Sequence, residues 1–378
     1  MQKKYPFYIK FTVVLLGLTL LVFALSSLRD IFIPLAFALL LAILLNPVVT
    51  LMQWYKIPHV IAITLSLVLA FAVASGIMYF LSSQIMGFSS EMPAFQQKFG
   101  NMFSQLQAWA QNKMGISLEK QKQWIADAQS GLKPLATKAV GTVLGSLTVA
   151  FLVPVYTFLF LYYKTLILNF LYEVFAEKNM QEVDTVLHNS KGAVQQYMIG
   201  LLVEGLIVAA LNSAALFILG VKYALLLGII GAILNVLPYI GGIIAILLPV
   251  LIATVTKDGF NTQIGIVIAY AIIQFVDNHF LIPWVVSSKV KINALISIVV
   301  VLFWGYFWGI SGMFLSIPVT GVLKIIFDRI PELKPWGKLL GDEIPFHHKG
   351  EIWTRRKKRI KKDVQTTSTD NNKPETGK

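Results

Sequence analysis

The sequence predicts an all-α fold: a polytopic transmembrane helical bundle of about eight spans, some broken or re-entrant, with an extramembrane amphipathic helical insert. Three observations lead there. Of 378 residues, 56% are apolar and only 13% charged, whereas an ordinary soluble domain carries about 25% charged residues, so the chain cannot clothe a large water-facing surface. Apolar runs nearly free of charge recur near 8–28, 31–52, 59–82, 139–163, 197–220, 223–255, 263–286 and 292–327, and about 20 helical residues suffice to cross a hydrocarbon core of about 30 Å. The runs lack the short alternation of a membrane barrel, so each must satisfy its own backbone groups as a helix.

The first run follows Lys3 and Lys4 and contains Lys10, but it lacks a small-residue cleavage site and a second run follows at once. It reads as a retained span rather than a removed signal peptide. The sixth and eighth runs are too long for simple spans. One is interrupted by Asn235-Val-Leu-Pro238-Tyr239-Ile-Gly241-Gly242, the other by Gly305 through Gly309 to Ser311-Gly312. Proline removes a backbone donor and glycine loosens the helical ladder, so these segments are expected to break or re-enter where they line protein or water. The seventh run carries a further proline, Pro283, after Asp277-Asn278-His279. Basic residues at both ends, Lys3, Lys4 and Lys10 and then Arg355 through Lys362, place both termini in the cytoplasm and require an even number of crossings. The expected location is a bacterial inner membrane.

Four regions follow: residues 1–83, amino-terminal transmembrane helices; 84–138, the extramembrane insert; 139–328, a transmembrane transport core; and 329–378, a basic tail that is disordered at its end. In the insert, Phe88, Met92, Phe95, Phe99, Phe103, Leu106, Trp109 and Ala110 recur every three or four residues, the stripe of an amphipathic helix. A second helix is expected from Ser117, with Trp124, Ile125 and Ala128 inward. The composition beyond Asp363 buries too little apolar surface to fold.

Catalysis finds no support. There is no cysteine, the five histidines lack zinc-pair spacing, and neither a phosphate-binding glycine loop nor a serine–histidine–acid set is present. The sequence therefore points away from an enzyme and calls for no metal or cofactor. Ionisable groups inside spans cost about 2.5–3.5 kcal/mol on insertion scales and face the bundle interior or a water-filled cavity. Glu204, Asp277 and His279 qualify, and with Asn235 and Asn278 they form the candidate ion-coupling or substrate pathway. Pro238, Tyr239, Gly241, Gly242 and Pro283 shape the helix breaks, where opposed half-helix ends can coordinate ions. The structural alternatives are that Asp277 and Asn278 satisfy backbone freed by Pro283 and that Glu204 is an interhelical hydrogen-bonded acid. Gly141 with Gly145 and Gly305 with Gly309 have the spacing of close helix contacts. The basic run Arg355, Arg356, Lys357, Lys358 and Arg359 lacks interleaved aromatics, and its position after the last span suits an anionic leaflet rather than nucleic acid.

The carboxyl-terminal half resembles the autoinducer-2 exporter family of polytopic bacterial permeases. The resemblance rests on Gln196-Tyr197 to Gly200, Tyr223-Ala-Leu-Leu-Leu-Gly228 leading to Asn235-Val-Leu-Pro238-Tyr239-Ile240-Gly241, Asp277-Asn278 to Pro283, and Gly309-Ile-Ser-Gly312-Met to Ile317-Pro318. It spans roughly residues 190–328, while the front half fits in layout. Where the family often has Arg and Gln around Gly200, this chain has Met198, Ile199 and Leu201. Such a resemblance implies transport of a small signalling molecule in some relatives and sodium/proton exchange in others, with a homo-oligomeric assembly. The leading expectation is a secondary transporter for a small solute or monovalent cation, driven by a sodium or proton gradient. The alternative is a non-transporting membrane scaffold that recruits partners through the insert and the tail.

Overall fold

The computed structural model describes residues 6–114, 123, 150–175, 180–235, 240–257, 259–286 and 292–342. Pro238, Tyr239, the expected second insert helix, Gly141, Gly145 and the basic run Arg355 to Arg359 lie outside them. Among the described residues the chain is helical, with an isolated bridge between Ile292 and Gly341 as the sole β pairing. The helices are α1 (Phe7–Ser27), α2 (Arg29–Trp54), α3 (His59–Met114), α4 (Ala150–Tyr162), α5 (Lys164–Phe175), α6 (Met180–Ile218), α7 (Ala224–Asn235), α8 (Ile240–Thr256), α9 (Asn261–Val276), α10 (Ala294–Arg329) and α11 (Lys334–Leu340). Five segments are long and apolar enough to cross a membrane: Arg29–Trp54, His59–Phe88, Met180–Ile218, Asn261–Trp284 and Ala294–Arg329. The pair α4 and α5, bent by 65°, makes a sixth if counted as one broken span. Leu, Ile, Val and Phe side chains are exposed all along these helices, the signature of elements solvated by lipid.

The two overlong runs prove to be folded back on themselves. In the sixth, α7 rises only about 18 Å and α8 about 26 Å at 1.5 Å per residue, and the two pack antiparallel. A Cβ on Gly231 would stand 3.5 Å from the Ala245 Cβ, and one on Gly241 would overlap the Leu234 carbonyl. Ala224 and Ala253, near the other ends of the two limbs, share one buried cluster with Leu227 and Ala245. The run is thus a helical hairpin with its tip between Asn235 and Ile240.

The eighth run, α10, turns at Gly309, where φ is +62° and ψ −142°, a conformation open to glycine because it has no Cβ. After the turn a Cβ on Gly312 would overlap the Trp304 carbonyl, and one on Gly305 would sit 2.8 Å from the Met313 methyl. Residues 294–308 and 310–329 therefore lie against each other. At the open end, Asn293 caps the first limb by accepting from the Ile296 amide at 2.9 Å, and its Nδ2 donates to the carbonyls of Leu339 and Gly341 beyond the second limb. The glycine pair 305 and 309 thus serves a hairpin within the chain.

The seventh run departs from expectation. Rather than breaking at Asn278 to Pro283, α9 continues without a gap into a π-helical segment, Asp277–Val286, that contains Pro283. Widening the turn accommodates the missing donor without interrupting the span, and such widened turns are frequent at functional sites. The third run also extends further than its apolar stretch. Residues 59–88 are apolar, and the same helix continues through Pro93 to Met114, adding about 39 Å. Its lower part docks on the first hairpin: Phe88 meets Tyr223 edge-on at 5.4 Å, and the Tyr223 hydroxyl donates to the Gly87 carbonyl at 3.1 Å. Tyr223 holds a positive φ of 59° there. At the centre stands α6, packed against α2, α5, both hairpins and α9 with its π segment.

Candidate functional site

Two helix faces meet around the first hairpin. On α6, the buried residues Gly200, Glu204, Val208, Asn212 and Leu216 follow one another every four residues, which places them on one stripe. On α9 and its continuation, Gln263, Ile266, Tyr270 and Asp277 are buried and recur on a single face. The apolar members seal the bundle, leaving Glu204, Asn212, Gln263, Tyr270 and Asp277 as a polar file inside it. The file extends about 21 Å along α9 from Gln263 to Asp277.

The hairpin supplies the third wall. Asn235, the last residue of α7, donates from Nδ2 to Asp277 Oδ2 at 2.8 Å, tying the hairpin tip to the π segment. Asp277 is 1% exposed and Glu204 6%, and the two carboxylates are close enough for their charges to interact. Asp277 Oδ1 is buried and accepts no hydrogen bond among the described residues. Two like charges away from water, with one oxygen unpaired, form a costly arrangement that a cation or proton would relieve. Deeper in the file, Gly231 lets α7 approach closely: a Cβ there would come within 3.2 Å of Asn212 Nδ2 and 3.6 Å of Tyr270 Oη. Asn212 Oδ1, Ser213 Oγ, Gln263 Oε1 and Tyr270 Oη are likewise buried without a hydrogen-bond partner among the described residues. Native interiors satisfy nearly all such groups, so this row is a polar surface suited to a small hydrophilic ligand.

Of the residues singled out by sequence, the fold therefore brings together Glu204, Asn235 and Asp277. Gly241 and Gly242 form the α8 side of the hairpin tip, with the Gln274 carboxamide oxygen 3.2 Å from where a Gly242 Cβ would be. Asn278 and His279 are exposed and do not join Asp277; the His279 Nδ1 lies 3.0 Å from the Phe275 carbonyl and its ring stacks on Phe275 at 4.3 Å. Pro283 is also exposed. Asn212, Gln263 and Tyr270 escaped the sequence analysis because it weighed carboxylates and histidine within the spans and polar residues beside the helix breaks, and these three are neither. Their signal was the spacing from Glu204 to Asn212 and from Gln263 through Tyr270 to Asp277.

The sequence model of the AI-2E family transporters matches residues 11–332. The chain belongs to this family. A Haemophilus influenzae relative named "Putative transport protein" is 26% identical over 342 residues, covering 87% of this chain and 96% of its own. YueF of Bacillus subtilis, named in the same words, is 26% identical across 80% of this chain and 85% of its own. The "AI-2 transport protein TqsA" of Escherichia coli is 22% identical across 87% of this chain and 95% of its own. The AI-2E assignment covers the front half, which the sequence matched in layout alone. It makes the protein a multi-pass membrane transporter, and the hairpins and the polar file are features of that permease.

Proposed function

We propose that the protein is a secondary transporter whose cargo is a small polar solute, of the class of autoinducer-2-like signalling molecules, or a monovalent cation, and that it moves this cargo along the file lined by Glu204, Asn212, Gln263 and Tyr270, drawing on a sodium or proton gradient. The observation that carries the reading is the Asn235 to Asp277 hydrogen bond joining a re-entrant hairpin to a span, with Glu204 beside it. An amide N–H binds an ionised carboxylate more strongly than a neutral one. Loading Asp277 with a proton or sodium ion weakens its hold on Asn235, relieves its repulsion with Glu204, and frees the hairpin tip to move. Hairpin ends at membrane depth that gate a polar site are the arrangement through which secondary transporters alternate access. The printed name of the Escherichia coli relative supports the solute class. The basic termini support an inner-membrane orientation with both ends cytoplasmic, and the family resemblance supports a homo-oligomer working in the export direction as an antiporter.

The test uses purified protein in proteoliposomes loaded with a pH-reporting dye and challenged with a sodium gradient, with autoinducer-2 uptake as a parallel arm. Asp277→Asn keeps the shape and hydrogen bonding of the site but removes its charge, so gradient-driven accumulation should fall at least about tenfold, the loss expected for a charged-group contact. Glu204→Gln should fall in the same direction. Gradient dependence retained by both variants would refute coupling through these carboxylates.

A further inference from the structure

A sizeable cavity among the described residues lies away from the polar file. It has a volume of about 710 Å³ and is lined by α2, α4, α5, α6 and α10, beside the 65° bend between α4 and α5. That volume is typical of small-molecule sites. Its walls are mostly aliphatic, with Leu39 and Ile43 from α2, Leu168 and Leu171 from α5, and Leu315 and Val319 from α10. Along α2 it runs from Ala36 to Asn46, about 15 Å, the scale of an extended acyl chain.

One end of the cavity is cationic. Lys164, Lys191 and His188 line it together with Asn46 and Ser190. Lys164 Nζ donates to Asn46 Oδ1 at 2.9 Å, and the Lys164 and Lys191 charges are close enough to repel each other. Among the described residues no carboxylate is ion-paired with either lysine. The one acidic group in the wall, Asp184, already accepts the Tyr172 hydroxyl at 2.7 Å. Ser190 Oγ is buried there without a hydrogen-bond partner among the described residues. Two like charges held together at the mouth of an apolar pocket are stabilised by an anion that brings its own apolar body.

We propose that this cavity is a binding site for an anionic membrane phospholipid. The phosphodiester sits between Lys164 and Lys191, within reach of Ser190, and one acyl chain lies along α2 against α5 and α10. Such a lipid packs the α4–α5 elbow against the second limb of the α10 hairpin. The site shares no residue with the polar file, so it stands or falls independently of the transport reading.

The experiment uses full-length protein, delipidated and reconstituted in phosphatidylcholine nanodiscs, with phosphatidylglycerol or phosphatidylcholine carrying a photoactivatable acyl chain. Phosphatidylglycerol should crosslink to peptides holding Leu168, Leu171 or Val319, and unlabelled phosphatidylglycerol should compete. Lys164→Gln with Lys191→Gln should weaken that labelling about tenfold or more; both lysines are exposed in the chain, so the fold should survive. Leu168→Trp, which fills the apolar end and keeps both charges, should also lower it. Millimolar inorganic phosphate should leave labelling unchanged, and its ability to compete would assign the site to a free anion instead. Equal labelling by phosphatidylcholine, labelling that maps elsewhere, or full labelling of both variants would overturn the proposal. The phosphatidylcholine and phosphate comparisons on the unaltered chain decide the matter even if a variant fails to fold.

Discussion

A disulfide between positions 231 and 245 tests whether residues 224–256 form a hairpin or one long helix. In a straight helix these positions would be about 21 Å apart, far beyond bonding. In the hairpin, a Cβ on Gly231 stands 3.5 Å from the Ala245 Cβ, inside the roughly 3.5–4.5 Å that disulfides span. Because the chain has no cysteine, Gly231→Cys with Ala245→Cys gives an unambiguous pair. Closing a loop of about 15 residues contributes about 3 kcal/mol. Against it stands the crowding of the new Cβ, 3.2 Å from Asn212 Nδ2, which at overpacked sites costs about 1–3 kcal/mol. The net should be a gain of up to about 2 kcal/mol in the oxidised form relative to the parent. Membranes are oxidised, denatured and treated with a maleimide of high mass. The reduced protein should take two tags and the oxidised protein none, and oxidation should raise the thermal midpoint over the reduced double variant. Gly231→Cys with Ile243→Cys is the control, because Ile243 is 70% exposed on another face of α8, and should keep both thiols. Two free thiols in the 231/245 pair after oxidation would refute the antiparallel hairpin.

The hairpin tip makes a contrast between neighbouring glycines. Gly241→Ala drives a methyl into the Leu234 carbonyl, backbone that cannot turn aside, and shifts Asn235 off Asp277; flux in the proteoliposome assay should fall at least about tenfold. Gly242→Ala meets only the Gln274 side chain at 3.2 Å and should stay within about threefold of the parent, so equal behaviour of the two would argue against a tightly closed tip. Orientation is open to cysteines at Gln2, Gln111 and Thr367: an impermeant thiol reagent on intact cells should label Gln111 alone, and labelling at either end would reverse the topology drawn from the basic termini.

Much of the architecture was legible because lipid imposes a one-dimensional rule: a helix that cannot borrow hydrogen bonds from solvent must be apolar for about 20 residues. That rule marks α2, the start of α3, α6 and α9 directly from composition, and it shows that the runs containing Asn235 to Gly242 and Gly305 to Gly312 are too long to be single spans. It also flags Glu204 and Asp277, since a carboxylate within such a run is costly enough to demand a reason. The rule is silent on partners across the bundle. His279, two residues from Asp277 and grouped with it as an ionisable residue within the span, is carried by helical rotation to the exposed face. Asn235, 42 positions away, closes on Asp277 because the hairpin returns the chain.

What the sequence by itself determined is the helical membrane class, the overlong runs and the buried acids, all of which follow from local composition and periodicity. Only the tertiary structure decided that those runs are hairpins turned at Gly309 and between Asn235 and Ile240, that Pro283 is absorbed by a widened turn, and that Asn212, Gln263 and Tyr270 share a file with the two carboxylates. Each of these depends on which helix faces which. That choice is set by close approach at residues such as Gly231, which faces Asn212, Ala245 and Tyr270, contacts between positions distant in the chain that no local pattern records.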